Sequence, residues 1–255
     1  MPQADAKVYV YGVLPGADAP NVSAGGVEQA QVRTVEHGGL AALVSTLEGD
    51  ALAAAREVRA HWRVLEDASK TATVLPVRFG TVLEGDGAVR ERLLAPNAER
   101  LTELLDELAG RVQLNVRGEY DEQELLREVV RTSPQVAALR ERVSRLSDNA
   151  GYYDRIRLGE LVAAQIAARR DQDAALARGR LEPFAVSARA EEVSSQNGAF
   201  NLAFLVEGDE VDAFSEAVGR LREDLGERVT LNYVGPLPPY SFAETDLSAG
   251  TATWA

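Results

Sequence analysis

Between Val112 and Val234 the spacing of apolar residues changes period several times, and the order of those changes constrains the fold more than any other feature. The segment Val112-Gln-Leu-Asn-Val-Arg-Gly118 alternates with a period of two and predicts a half-buried strand. Residues 122–145 read as a charged helical hairpin interrupted at Ser133-Pro134. A long helix is predicted from Tyr152 to about Ala177, with Leu158, Leu161, Val162 and Ile166 on one stripe. Residues 182–189 and 198–206 predict two strands separated by a polar turn. Asp209 is placed to cap a helix in which Val211, Phe214, Val218, Leu221 and Leu225 recur at steps of three and four. Gly226 closes that helix, and residues 227–234 form the last strand. Strand, helices, strand, strand, helix, strand is the split βαβ order of ferredoxin-like α+β domains. The same superfold hosts binding modules, enzymes and regulators, so the order alone assigns no function.

The first half is less regular. Residues 7–14 predict a strand stopped by Pro15-Gly16, and residues 29–36 and 40–47 predict two more around His37-Gly38-Gly39. A helix follows over 51–70 with Asp50 as its N-cap, its stripe of Val58, Trp62, Leu65 and Ser69 facing a sheet. Residues 72–80 read as a strand carrying Pro76, hence an edge or a bulge. Two polar helices over 87–94 and 97–110 show no obvious docking face. A chain of 255 residues corresponds to one or two domains and buries roughly 72% of its unfolded surface. The expected architecture is α+β in two domains: a smaller N-terminal α+β layer over 1–110 and a modified ferredoxin-like βαββαβ sandwich over 111–243. Residues 244–255 are expected to be a disordered tail.

Composition removes many chemistries. There is no cysteine, so disulfides, thiolate metal sites and cysteine nucleophiles are excluded, and two histidines cannot build a histidine-rich metal site. A net charge of −13 disfavours nucleic acid and anionic membrane surfaces as partners. No apolar run reaches the roughly 18 residues of a membrane span, and the N-terminus shows no secretory pattern. Lys7 and Lys70 are the only lysines; the resulting arginine bias suits bidentate contacts, although genome composition produces the same bias. No Gly-Lys pair exists for a Walker A loop, and no nucleophile elbow or zincin helix is present. No cofactor is expected.

Among single residues, His61 beside Trp62 reads as a packed, hydrogen-bonded histidine rather than a general base, and His37 as an exposed turn residue. Carboxylates such as Glu99, Glu103, Asp106 and Glu107 read as solvated helix faces. Ser45, Thr46 and Ser69 lack a histidine partner in sequence terms. Arg78-Phe79-Gly80 could present a guanidinium to a carboxylate or peptide, or simply direct Arg78 outward and Phe79 inward. In Tyr233-Val-Gly-Pro-Leu-Pro-Pro-Tyr-Ser-Phe242 the prolines force an extended exit, so Tyr240 and Phe242 pack on the protein itself or on a partner. The candidate partner-binding residues are therefore Arg78, Phe79, Tyr240 and Phe242; no catalytic or metal-ligating set is assigned.

Three segments in series, Val8-Tyr-Val-Tyr-Gly12, Val74-Leu-Pro-Val-Arg-Phe-Gly-Thr81 and Tyr233 to Phe242, resemble the gas vesicle protein F/L family (GvpF/GvpL) over about residues 7–243. Gly151-Tyr152-Tyr153 before a long helix and Phe200-Asn-Leu-Ala-Phe-Leu-Val206 support the resemblance. It implies a non-enzymatic accessory or minor structural protein that contacts the hydrophobic gas vesicle shell protein and other accessory proteins during assembly. It also implies two α+β domains and a place at the gas vesicle and in the cytoplasm, and it carries over no catalytic residue. The competing class is a ligand-sensing or enzymatic ferredoxin-like protein.

Overall fold

The structure is a computed structural model that describes residues 6–18, 20, 22–49, 55–147, 150–195 and 197–243. The expected Asp50 cap, the start of its helix at residues 51–54 and the tail over 244–255 lie outside the described residues. The chain is α+β and divides into two compact units, one from Met1–Gln113 with Pro236–Ala255 and one from Leu114–Gly235.

The first unit is built on β1 (Lys7–Pro15), which is rich in β-branched and aromatic residues and buried on both faces from Val8 to Leu14. β2 (Arg33–His37) and β3 (Leu40–Thr46) form a hairpin closed by Gly38 and Gly39, both at positive φ, as a tight primed turn requires. β3 pairs antiparallel with β1, whose other edge takes β4 (Leu75–Pro76) near Gly12 and β5 (Val82–Glu84) near Tyr9. The register of β1 slips between Val10 and Gly12. A side chain at Gly12 would meet the Leu75 carbonyl oxygen at 2.9 Å, so only glycine fits this bulge. α1 (Ala55–Ser69) packs on β1. After the short α2 (Gly85–Ala88) come a wide turn over Val89–Leu94, a tight one over Ala95–Asn97, and α3 (Ala98–Leu108). Leu101, Leu105 and Leu108 dock α3 against β1 and β4, the face its polar sequence obscured.

β6 (Arg111–Tyr120) leads into the second unit, where β7 (Ser187–Ala190), β8 (Gly198–Glu207) and β9 (Val229–Leu237) complete a sheet in the order β7-β8-β6-β9. Each helical crossover, β6 to β7 and β8 to β9, therefore steps over one strand. α4 (Glu122–Thr132) begins at Asp121, whose carboxylate accepts from Gln123 and Glu124 N–H. Ser133 ends α4 and caps α5 (Pro134–Ser144), with Pro134 in its first turn. α6 (Tyr152–Leu181) runs 30 residues, and α6 and α7 (Val211–Leu225) pack on β8. Leu114, Val116, Phe204, Phe214, Leu221 and Leu225 form the interior, and Gly226 ends α7 at φ 63°.

Several expectations are corrected. Only Leu75–Pro76 of the expected 72–80 strand is paired, because Pro76 supplies no donor and Gly80 turns the chain at φ 89° toward β5. Glu182–Phe184 is a helical turn rather than the start of β7. Asp209 lies in a turn before α7, whose first turn has no side-chain cap. β9 extends to Leu237 through Pro236, which an edge strand tolerates.

Candidate functional site

The expected α1 stripe of Val58, Trp62, Leu65 and Ser69 is rotated by about one residue. The buried face is Glu57, Ala60, His61, Val64, Leu65 and Ala68, while Trp62 is 40% and Val58 36% exposed. Hydrophobicity alone argues the reverse. The rotation is stabilised by hydrogen bonds that accept the two polar residues inside. Tyr9 and Tyr11, two apart on β1, face α1 together; the Tyr9 hydroxyl lies 2.9 Å from His61 Nδ1 and accepts the Gly80 N–H at 3.1 Å. The Tyr9 hydroxyl thus joins the Gly80 N–H to the imidazole, either ring tautomer satisfying the contact at Nδ1. Burial holds the His61 pKa down to about 4 and pushes the Tyr9 and Tyr11 hydroxyls up. Tyr11 Oη accepts the Val27 N–H at 2.7 Å and meets Ser45 Oγ at 2.8 Å, so Ser45 serves packing and not nucleophilic chemistry.

Glu57, one turn before His61, accepts the Glu28 N–H at 2.8 Å and pairs with Arg56 at 2.5 Å, contacts that hold its carboxyl below the usual range. Glu28 and Gln29 both stand at positive φ, a conformation costly for side-chain-bearing residues, and the Glu28 carboxylate in turn accepts from Glu48 and Gly49. Asp67, also on α1, ties the same loop by accepting from Ser23 and Ala24. An open cleft beside this loop is lined by Glu28, Ala30, Gln31, Arg33, Thr46 and Glu48, but Glu28 is engaged as described and Arg33 makes a two-pronged pair with Asp86.

Of the four candidate residues Arg78, Phe79, Tyr240 and Phe242, Phe79 and Tyr240 meet at this cluster. Phe79 is half-buried, with its ring centre 6.1 Å from Tyr9 and 5.6 Å from His61. Tyr240 folds back over α1, 4.0 Å from Trp62 and 6.4 Å from His61 between ring centres. Phe242 is 8% exposed and anchors the turn; Arg78 is exposed beside it in sequence to Phe79. Gln113 holds the turn between them, accepting the Ser241 N–H at 2.8 Å and donating to Ser241 Oγ at 3.0 Å. The three motifs, far apart in the chain, thus converge on one aromatic cluster with His61 beneath it and Trp62 at its surface. The spacing of Tyr9 and Tyr11 signalled one face; nothing in the sequence signalled Glu57 or the Glu28 loop. Among the described residues, no group of three or more His, Asp or Glu side chains is placed to hold a metal ion, and no helix is long and apolar enough to cross a membrane.

The sequence profile described as gas vesicle synthesis protein GvpL/GvpF matches residues 7–244. Gas vesicle protein F of a Streptomyces species is 35% identical over 93% of this chain and 100% of its own length. Gas vesicle protein L2 of Halobacterium salinarum is 30% identical over 92% of this chain and 90% of its own. The crystal structure of GvpF from Anabaena superposes with a TM-score of 0.82 at 26% identity, covering 94% of this chain and 99% of that one. With its three motif segments, its whole-length match and the same fold, this chain belongs to the GvpL/GvpF family of gas vesicle proteins.

Proposed function

We propose that the protein is a non-enzymatic assembly factor that binds the small apolar shell protein of the gas vesicle, together with other accessory proteins, in the cytoplasm at the forming vesicle. The observation that carries the reading is Trp62, 40% exposed beside the 36% exposed Val58, at the surface of the cluster where the motif segments meet. Buried structure alone gives no reason to hold an indole at the surface, whereas aromatic anchors beside arginine are the commonest hot spots of protein interfaces. Arg78, Phe79 and Tyr240 extend the face, and Phe242 holds it in place from beneath. An acidic chain of net charge −13 suits a partner that keeps apolar subunits dispersed. We take the two compact units as two domains, with this face on the first.

The test is co-expression with the shell protein of a gas vesicle cluster and affinity capture through a tag on this chain. Capture is expected from the unmodified protein and a loss of tenfold or more from Trp62→Ala at unchanged fold. Equal capture by both proteins would overturn the assignment of the face. Absent capture, combined with a thermal shift of several degrees caused by nucleotides, amino acids or metal ions, would favour the ligand-sensing alternative.

A further inference from the structure

Among the described residues, two buried polar atoms in the aromatic cluster have no hydrogen-bond partner: His61 Nε2 and the Tyr240 hydroxyl. They belong to rings 6.4 Å apart, on either side of the contact between α1 and the turn Tyr240–Phe242. Docking this turn therefore buries two polar groups that no described residue pairs with, an arrangement that is rare in native interiors and calls for an explanation. The turn itself is three residues long and follows Pro238-Pro239, and its contacts include its two aromatic rings and the paired hydrogen bonds of Gln113 with Ser241. β1 on the opposite side of His61 is a central strand paired along both edges.

We infer that the turn Tyr240–Phe242 is a displaceable strap that undocks when His61 takes up a proton, uncovering Trp62, Phe79 and the imidazole while the rest of the unit stays folded. In the imidazolium both ring nitrogens are donors: Nδ1 faces a Tyr9 hydroxyl that already accepts from Gly80, and Nε2 faces no acceptor among the described residues. The groups around the new charge cannot neutralise it. β1 presents the Tyr9 and Tyr11 hydroxyls and the strap presents that of Tyr240, all kept neutral by burial. Phe79 is apolar. On α1 itself Glu57 is the nearest carboxylate in sequence, and it is engaged by the Glu28 N–H and Arg56. Water is then the remaining partner for the imidazolium, and the strap is the element whose removal admits it at least loss of structure. The closed state titrates at about 4 and an open, hydrated histidine near its ordinary 6.5, which brackets the transition.

The full chain supplies its own reporter, since Trp62 and Trp254 are its only tryptophans. In a Trp254→Phe background, Trp62 emission is expected to change reversibly with a midpoint between pH 4 and 6.5 while far-ultraviolet circular dichroism stays constant. His61→Phe should abolish the change. Should that variant lack native dichroism, His61→Gln carries the same expectation. Tyr240→Phe, which removes one unpartnered atom and tightens docking, should move the midpoint to lower pH. Emission that changes only together with dichroism, or a transition that survives loss of His61, would overturn the inference. The consequence for partner binding rests on the reading of the face given above. A strap transition without shell-protein capture at any pH would defeat that reading and leave the strap standing.

Discussion

Among the described residues, and apart from the buried Glu57 with its Arg56 partner on α1, each unit buries a polar cluster, and the two are built on opposite principles. In the first unit the cluster is neutral: Tyr9, Tyr11, Ser45 and His61 exchange hydrogen bonds under aromatic rings, and two atoms are left over. In the second unit it is ionic. Asp173, 2% exposed, accepts from the Tyr120 hydroxyl at 2.9 Å and from Arg228 Nη2 at 2.6 Å. Arg228 also reaches Glu128 and donates to the Leu225 carbonyl, while Glu128 pairs with Arg169. Burial alone would lower the Arg228 pKa, but Asp173 and Glu128 raise it overall, so the charge is locked in. This ionic cluster joins β6, α4, α6 and the start of β9 and spends its polar groups on fixing those elements. The neutral cluster fixes β1 and α1 but keeps unspent polar atoms next to an exposed aromatic face. On the proposed function, the difference separates a structural network from one placed for use.

The comparison breaks most sharply at Asp173. Asp173→Ala leaves Arg228 and Tyr120 without their buried partner, a change that costs about 3–5 kcal/mol. Urea unfolding should show that loss as a lower midpoint at unchanged slope, with the tertiary signal of the first unit persisting to higher denaturant than that of the second. A loss below about 1 kcal/mol would mean that water reaches the pair and that the second cluster is no more committed than the first.

Acid should act on the first unit through His61. Its folded pKa, about 4, lies below the 6.5 of an unfolded histidine, so the unfolded chain binds the extra proton between those values. Stability is therefore full above pH 6.5 and falls as the pH drops through the window, by about 2 kcal/mol on going from pH 7.5 to 5. Chemical denaturation at the two pH values checks this, and His61→Gln should flatten the difference. The ionic cluster carries no histidine.

How much of this was legible follows from what each residue type signals on its own. The second unit was readable because β6 alternates and its helix ends carry their own stops, Ser133-Pro134 and Gly226. α1 was misjudged because an apolar indole and a polar histidine sit side by side. Hydropathy assigns Trp62 to the interior and His61 to the edge, and only the Tyr9 hydroxyl, 52 residues away, reverses them. Glu57 and Asp173 were invisible for the same reason: a carboxylate is buried by partners distant in sequence, and a count of 40 acidic residues hides the two that matter. Tyr240 and Phe242 were correctly read as rings that need cover, since prolines forced the chain off the sheet. That Trp62 supplies part of that cover was not readable from spacing.

Surface pairs should matter least to either cluster. Arg33 and Asp86 make a two-pronged ion pair, but both side chains are more than one-third exposed, at 39% and 37%. Asp86→Ala is therefore expected to cost under about 1 kcal/mol, and less at high salt. A larger loss would mean that the β2 edge depends on this pair, and that the first unit carries an ionic lock of its own.

The smallest effect on stability is expected at the N-terminal end of α6, where Tyr153 is 82% and Tyr152 60% exposed, with their rings 5.4 Å apart. Tyr153→Ser removes no buried contact, so unfolding free energy should change by no more than about 0.5 kcal/mol. Its value lies in placing the working surface. Among the described residues, Tyr152, Tyr153 and Ile156 form another exposed aromatic and aliphatic group large enough to serve as an anchor. If the neutral cluster is the one placed for use, Tyr153→Ser captures shell protein as the unmodified chain does, while Trp62→Ala loses it. The reverse result, capture lost with Tyr153 and kept with Trp62, would move the docking face to α6. The unpartnered atoms beneath Tyr240 would then answer to some other demand on the strap, and the contrast between the two clusters would no longer mark function.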